Sequence, residues 1–208
     1  MNSKRSRIRP AAAVVAAGAA ALVLAACGGN GDSSAGHDGR TTKSPSASAP
    51  ASQGQHNAAD VAFAKGMIPH HRQAVQMADL APTRAASAEV KKLAEDIKKA
   101  QDPEIKTLSG WLTSWGEEVP AEGAMDHSAH GTGGMMTAEE MDKLKSTSGK
   151  AFDTAFMEMM IKHHEGAVTM AKAEQADGAY EPAKRMAGTI VTSQTAEITQ
   201  MNKLLGRN

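Results

Sequence analysis

Adding 93 to each residue number from 60 to 112 reproduces a second copy of the same pattern without a gap. Asp60, Phe63, Met67, Ile68, His70, His71, Ala74, Val75, Met77 and Ala78 return as Asp153, Phe156, Met160, Ile161, His163, His164, Ala167, Val168, Met170 and Ala171. Ala94, Ile97, Gln101, Glu104, Ile105 and Leu112 return as Ala187, Ile190, Gln194, Glu197, Ile198 and Leu205. Roughly a third of the aligned positions are identical, which marks an internal duplication. Whatever one copy folds into, the other must match, and the two must bury their apolar faces together.

Each copy reads as two helices. Phe63, Met67, His70/His71, Ala74 and Met77/Ala78 recur at steps of three and four, one stripe of a helix. Asn57 with Asp60 three residues later reads as its N-terminal cap. The chain turns around Pro82 and Thr83, and a second helix carries Val90, Leu93, Ala94, Ile97, Gln101, Glu104, Ile105, Leu108, Trp111 and Leu112. In the second copy the turn falls at Asp177-Gly178, where glycine suits a helix end. Two such hairpins predict an all-α four-helix bundle with a pseudo-twofold axis. No segment alternates as a strand does. Pro69 stands just before the first His pair, and either kinks one helix or starts a new one. The connection between copies, 113–152, includes a polar, flexible Gly116-to-Gly134 stretch, then Thr137-x-x-Glu140, a capping box opening a short helix to about Ser146.

The start of the chain has a different character. Lys4, Arg5, Arg7 and Arg9 precede a small-apolar run over 11–26 that ends at Leu24-Ala25-Ala26-Cys27. This pattern predicts a secretory signal peptide over 1–26 with a lipobox, Cys27 being the lipidated residue that anchors the protein to the membrane. Residues 27–57, rich in Gly, Ser, Ala, Pro and Thr, predict a disordered tether, and 58–208 the folded domain. Losing the signal would remove four of 23 basic residues and none of 23 acidic ones, so the remainder is mildly acidic. That balance argues against nucleic acid as a partner. With the only cysteine in the anchor, a metal would have to be held by His, Met, Asp or Glu.

The doubled Met-x-x-His-His-x-x-x-x-x-Met supplies such donors: Met67, His70, His71 and Met77, then Met160, His163, His164 and Met170. Imidazole and thioether suit Cu(I), and imidazole also suits Cu(II) and, as the lesser alternative here, zinc. A methionine stripe can equally be core filling; the repetition of the His pair tips the reading toward ligands. Gln101 and Glu104, with Gln194 and Glu197, sit on the otherwise apolar stripe of the second and fourth helices. They could orient the imidazoles, ligate directly, or make structural hydrogen bonds. Met125, His127, His130, Met135 and Met136 form an accessory candidate in the connection. Enzyme signatures fail: His164-Glu165-Gly166-Ala167-Val168 lacks the second His of a zinc protease, and no Glu-x-x-His of a di-iron bundle occurs on any of the four helices.

At Gly66-Met67-Ile68-Pro69-His70-His71 and Glu158-Met159-Met160-Ile161-Lys162-His163-His164-Glu165-Gly166-Ala167 the chain resembles the DUF305 family, over essentially all of 58–206. The resemblance implies a ferritin-like four-helix bundle, often exported, some of whose members bind copper and are linked to copper resistance. It maps the family's Met and His positions onto Met67, His70, His71, Met77, Met160, His163, His164 and Met170. The expected function is an extracytoplasmic copper-binding lipoprotein that sequesters or relays the metal. The rival expectations are a metal-dependent oxidase and a metal-free bundle that docks an envelope partner.

Overall fold

Asn57 opens the first helix as its spacing predicts. In the computed structural model, which describes residues 54–123 and 133–207, its side chain accepts hydrogen bonds from the N–H groups of Ala59 (2.8 Å) and Asp60 (3.1 Å). Asp60 answers by accepting from the Asn57 N–H at 2.6 Å, completing a capping box. Helix α1 then runs unbroken over Ala58–Ala78 with Pro69 inside it. The alternative of a new helix at Pro69 is thereby settled: one missing backbone donor leaves the rest of the ladder standing. A single-turn α2 (Ala81–Arg84) makes the first hairpin turn, and α3 (Ala88–Ser114) returns, capped by the Ser87 hydroxyl. The Thr137–Glu140 capping box opens α4 (Ala138–Ser146) as expected. Helices α5 (Gly149–Asp177) and α6 (Glu181–Leu204) form the second hairpin. The described residues contain no named strand, and none of their helices is long and apolar enough to cross a membrane.

The core is made within each hairpin and completed between the copies. Helix α1 packs on α3, α5 on α6, and α1 on α5. Phe63, Met67 and Leu108 of the first copy share one apolar cluster with Ala167, Ala171, Ala187 and Ile190 of the second. Phe156, Met160 and Met201 of the second share the other with Ala74, Ala78, Ala94 and Ile97 of the first. The same offset of 93 converts one set into the other. A single hairpin would leave half of each cluster in water, at about 1.5–3 kcal/mol for each large side chain.

Two carboxylates lock this arrangement. Asp60 accepts from the N–H groups of Ala179 (3.2 Å) and Tyr180 (2.9 Å) ahead of α6. Asp153, its repeat partner, accepts from Ala86 and Ser87 ahead of α3, both at 3.0 Å. Each repeat thus holds the return helix of the other. Gly178 has a different reason from the one its sequence position suggests. Its φ of −67° needs no glycine, but a Cβ there would lie 2.3 Å from a Glu174 carboxyl oxygen.

Candidate metal centre

The stripe that carries the apolar residues of α1 and α5 also carries the histidines, so burying one buries the other. His70, His71, His163 and His164 are all at most 1 % exposed. The α1–α5 contact brings His70 and His163 together across the pseudo-twofold, ring centroids 3.7 Å apart and ring planes inclined by 44°. His71 and His164 turn the other way, each to a carboxylate on its own hairpin. The His71 Nε2 lies 2.7 Å from Glu104 Oε2, and His164 Nε2 lies 2.5 Å from Glu197 Oε2. A carboxylate only accepts, so Nε2 is the donor; in the neutral ring Nδ1 is then left with its lone pair.

None of the remaining imidazole nitrogens finds a protein partner: Nδ1 of His71 and of His164, and both ring nitrogens of His70 and of His163. Buried polar atoms are almost always hydrogen-bonded, so a cluster of exceptions marks a place where a water or an ion fits. Burial pushes the His70 imidazole down to about 3, with the neighbouring His71 working the same way. The Gly133 backbone lies against His70 and works in the opposite direction, without a hydrogen bond of normal geometry. His163 is held well below the usual imidazole range by burial and then by His70. Both rings are therefore neutral at neutral pH, with lone pairs available for a cation without loss of a proton.

The methionines occupy a different position from the histidines. Met67 and Met160 are fully buried but belong to the two separate apolar clusters. Met77 is fully buried alongside Met160. Its repeat partner Met170 is only half-buried, its sulfur 3.6 Å from where a Cβ on Gly66 would sit. Among the described residues no three His, Cys, Asp or Glu side chains converge on one point. A soft cation at this centre would draw on the His70–His163 pair, on the Nδ1 atoms of His71 and His164, and on thioethers. Gln101 and Gln194 are buried, yet their side-chain oxygens have no partner, so of the polar pairs on the return helices only the glutamates reach a histidine.

Cys27, Met125, His127 and His130 lie outside the described residues. Met135 is half-buried, and Met136 differs from its expected place in an open loop: it is buried in the core with Ala74 and Phe156. What holds it there is Gln73, a residue the sequence reading passed over. Gln73 Nε2 donates to the Met136 carbonyl (2.9 Å) and its Oε1 accepts from the Met136 N–H (2.7 Å). The available signal was a polar residue lying between His70/His71 and Ala74 on the buried side of α1.

Fold and site together define a duplicated α-helical bundle with a buried, pseudo-symmetric cluster of four histidines. The chain belongs to the DUF305 family, described as a domain of unknown function, whose model matches residues 60–205. It is similar to a DUF305 protein of Streptomyces coelicolor, inferred to be secreted: 36% identity, TM-score 0.65, covering 71% of this chain and 91% of that one. A DUF305 fragment from Deinococcus radiodurans is 30% identical with a TM-score of 0.65, over 73% and 98% of the two chains. CopM in its Cu(II)-bound form is 33% identical with a TM-score of 0.60, over 70% and 94%. None of the curated proteins compared matches this chain.

Proposed function

We propose that this chain is an exported lipoprotein that binds copper and sequesters or relays it outside the cytoplasmic membrane. The observation that carries the reading is the set of buried, unpartnered imidazole nitrogens brought together by the duplication. Its support from relatives is the similarity to CopM, known in Cu(II)-bound and Cu(I)-bound forms. In this reading His70, His71, His163 and His164 are the principal ligands, and Met67, Met77, Met160 and Met170 supply soft donors for Cu(I). Glu104 and Glu197 fix the rings of His71 and His164 with Nδ1 free, the usual arrangement behind a metal-bound imidazole. Met125, His127, His130 and Met135 act as an accessory capture segment, without the core residue Met136. Cys27 carries the lipid anchor on the outer face of the membrane, in keeping with the inferred secretion of the Streptomyces relative.

The test is a competition titration of the purified protein with Cu(I) against a chromophoric chelator without oxygen, then with Cu(II) in air. The double variant His70→Ala/His163→Ala is expected to lose tight binding while its helical circular dichroism persists. Unchanged affinity and stoichiometry in that variant would remove the histidine centre from the reading. Failure of the wild-type protein to compete at all would favour a metal-free interaction protein instead.

A further inference from the structure

Positions 73 and 166 are the same place in the two copies, and the chain uses them in opposite ways to hold one short segment, 133–136. At position 73 a glutamine reaches out and pairs both ways with the backbone of Met136. At position 166 a glycine leaves a gap into which the segment sinks: a Cβ there would lie 1.6 Å from the Gly133 carbonyl oxygen and 3.2 Å from the Gly134 Cα. Gly134 fits the other side of the same contact. It takes φ +89°, and a Cβ on it would stand 2.4 Å from the Lys162 carbonyl oxygen and 3.1 Å from that of His163. The segment therefore lies directly on the turn of α5 that carries His163, while the Gly133 backbone borders His70. Both ends of the contact are fixed: Met136 is buried in the core and Gly133 is seated at Gly166.

We propose that Gln73 and Gly166 are positioning residues that hold segment 133–136 as a wall over the His70–His163 pair, and so set how fast that pair meets a soft metal cation. Neither side chain needs to touch the ion. Their effect is on the opening of the segment, a local event whose frequency depends on the bonds that must break. The Gln73 pair contributes two buried hydrogen bonds to that barrier, and the fit at Gly166 contributes close backbone packing. The part concerning metal rests on the copper reading above; the part concerning access does not.

The test separates them. In metal-free protein, carbethoxylation of His70 and His163 by diethyl pyrocarbonate is followed residue by residue in wild type, Gln73→Ala, Gly166→Ala and Asp153→Ala. The last is a control that weakens the fold at a clasp ten residues along α5 from His163, about 15 Å away. Both positioning variants are expected to react about ten-fold faster or more at His70 and His163, the control much less. If Gly166→Ala fails to fold, Gln73→Ala carries the comparison alone. Unchanged reactivity in the folded variants, or an equal rise in Asp153→Ala, overturns the wall. With Ag(I)-loaded protein, transfer to a competing chelator should accelerate in Gln73→Ala while the equilibrium affinity changes far less. Faster carbethoxylation with unaltered Ag(I) release would overturn the control of metal exchange. A wild-type protein that binds neither silver nor copper would sink the copper reading, and the carbethoxylation would still decide the wall.

Discussion

Raising the pH of the metal-free protein from 6.5 to 8 should cost it stability through Glu174. This side chain is 2 % exposed, neither of its oxygens has a hydrogen-bond donor, and its neighbour is the Asp60 carboxylate. Burial first, and then Asp60, push Glu174 up to about 8. For Asp60 burial acts to raise the value, but hydrogen bonds from the N–H groups of Asn57, Tyr180 and Ala179, with the Glu174 carboxyl beside them, outweigh it and hold Asp60 below its ordinary range. At neutral pH Glu174 therefore keeps its proton beside the Asp60 carboxylate. In the unfolded chain that proton is lost near 4.5. Between 4.5 and about 8 the folded state binds one proton more than the unfolded state, so stability falls as pH rises, by about 1.36 kcal/mol per pH unit. The buried histidines have the opposite sign. His70 titrates near 3 when folded and near 6.5 when unfolded, and His163 is lowered in the same sense. Their contribution is lost as pH falls through 6.5, and levels off only about one pH unit above it. Between 6.5 and 8 the difference between this protein and Glu174→Gln, in which the histidine contribution cancels, isolates Glu174, with an expected relative loss of roughly 2 kcal/mol. Urea unfolding followed by circular dichroism, in chelator at four pH values across this window, measures it. Glu174→Gln cannot ionise, so its stability should not fall across the window. Parallel curves for the two proteins would refute the retained proton, as would a Glu174→Gln protein that is the weaker of the two at pH 8.

Glu104→Gln and Glu197→Gln should each weaken copper binding about 10–100-fold with the helices intact, because the imidazole behind each loses its carboxylate; competition with a chromophoric chelator reads the change, and unaltered affinity would remove the orienting role. Asp153→Ala strands the N–H groups of Ala86 and Ser87 at the head of α3, and should cost about 2–4 kcal/mol in urea unfolding. Met67→Leu with Met160→Leu keeps core volume and should cost under about 1.5 kcal/mol per site in stability. The same pair should weaken Cu(I) more than Cu(II), since only the thioether donors are lost; equal retention of both oxidation states would take these methionines out of the ligand set.

The bundle was legible because its information is periodic. The stripe from Phe63 to Ala78 and its copy specify which face of each helix is buried, and the structure buries that face. The local cap at Asn57–Asp60 was legible for the same reason, being a matter of neighbours in the chain. What Asp60 does beyond it, binding Tyr180 across 120 residues, leaves no local trace. The polar pairs on α3 and α6 were visible as breaks in an apolar stripe, but pattern could not separate Glu104, which reaches His71, from Gln101, which does not: the two differ by less than a turn of helix. Gly178 shows the opposite limit. Its place at a helix end suggested backbone freedom, whereas the constraint is the room taken by the Glu174 carboxyl. Gln73 was missed because its partner lies in a stretch of the connection with no periodicity, where a helix-based reading has nothing to align.

The two copies agree and differ in an ordered way. Positions that stayed identical make the same contact twice: Asp60 and Asp153 each clasp the other hairpin, His71 and His164 each meet a glutamate, and His70 meets His163 on the axis. Positions that diverged make contacts only once: Gln73 against Gly166 around segment 133–136, and Glu174, whose counterpart Ala81 leaves the Asp153 clasp without a second acid. A donor set with twofold symmetry offers either one ion on the axis or two equivalent ions beside it, whereas a wall on one side gives the approaches to it unequal access. Equilibrium measurements on such a protein should therefore report the symmetric residues, through affinity and a stoichiometry of one or two. Rates should report the asymmetric ones. A variant at Gln73 that altered stoichiometry, or one at Glu104 that altered only rates, would break that division of labour.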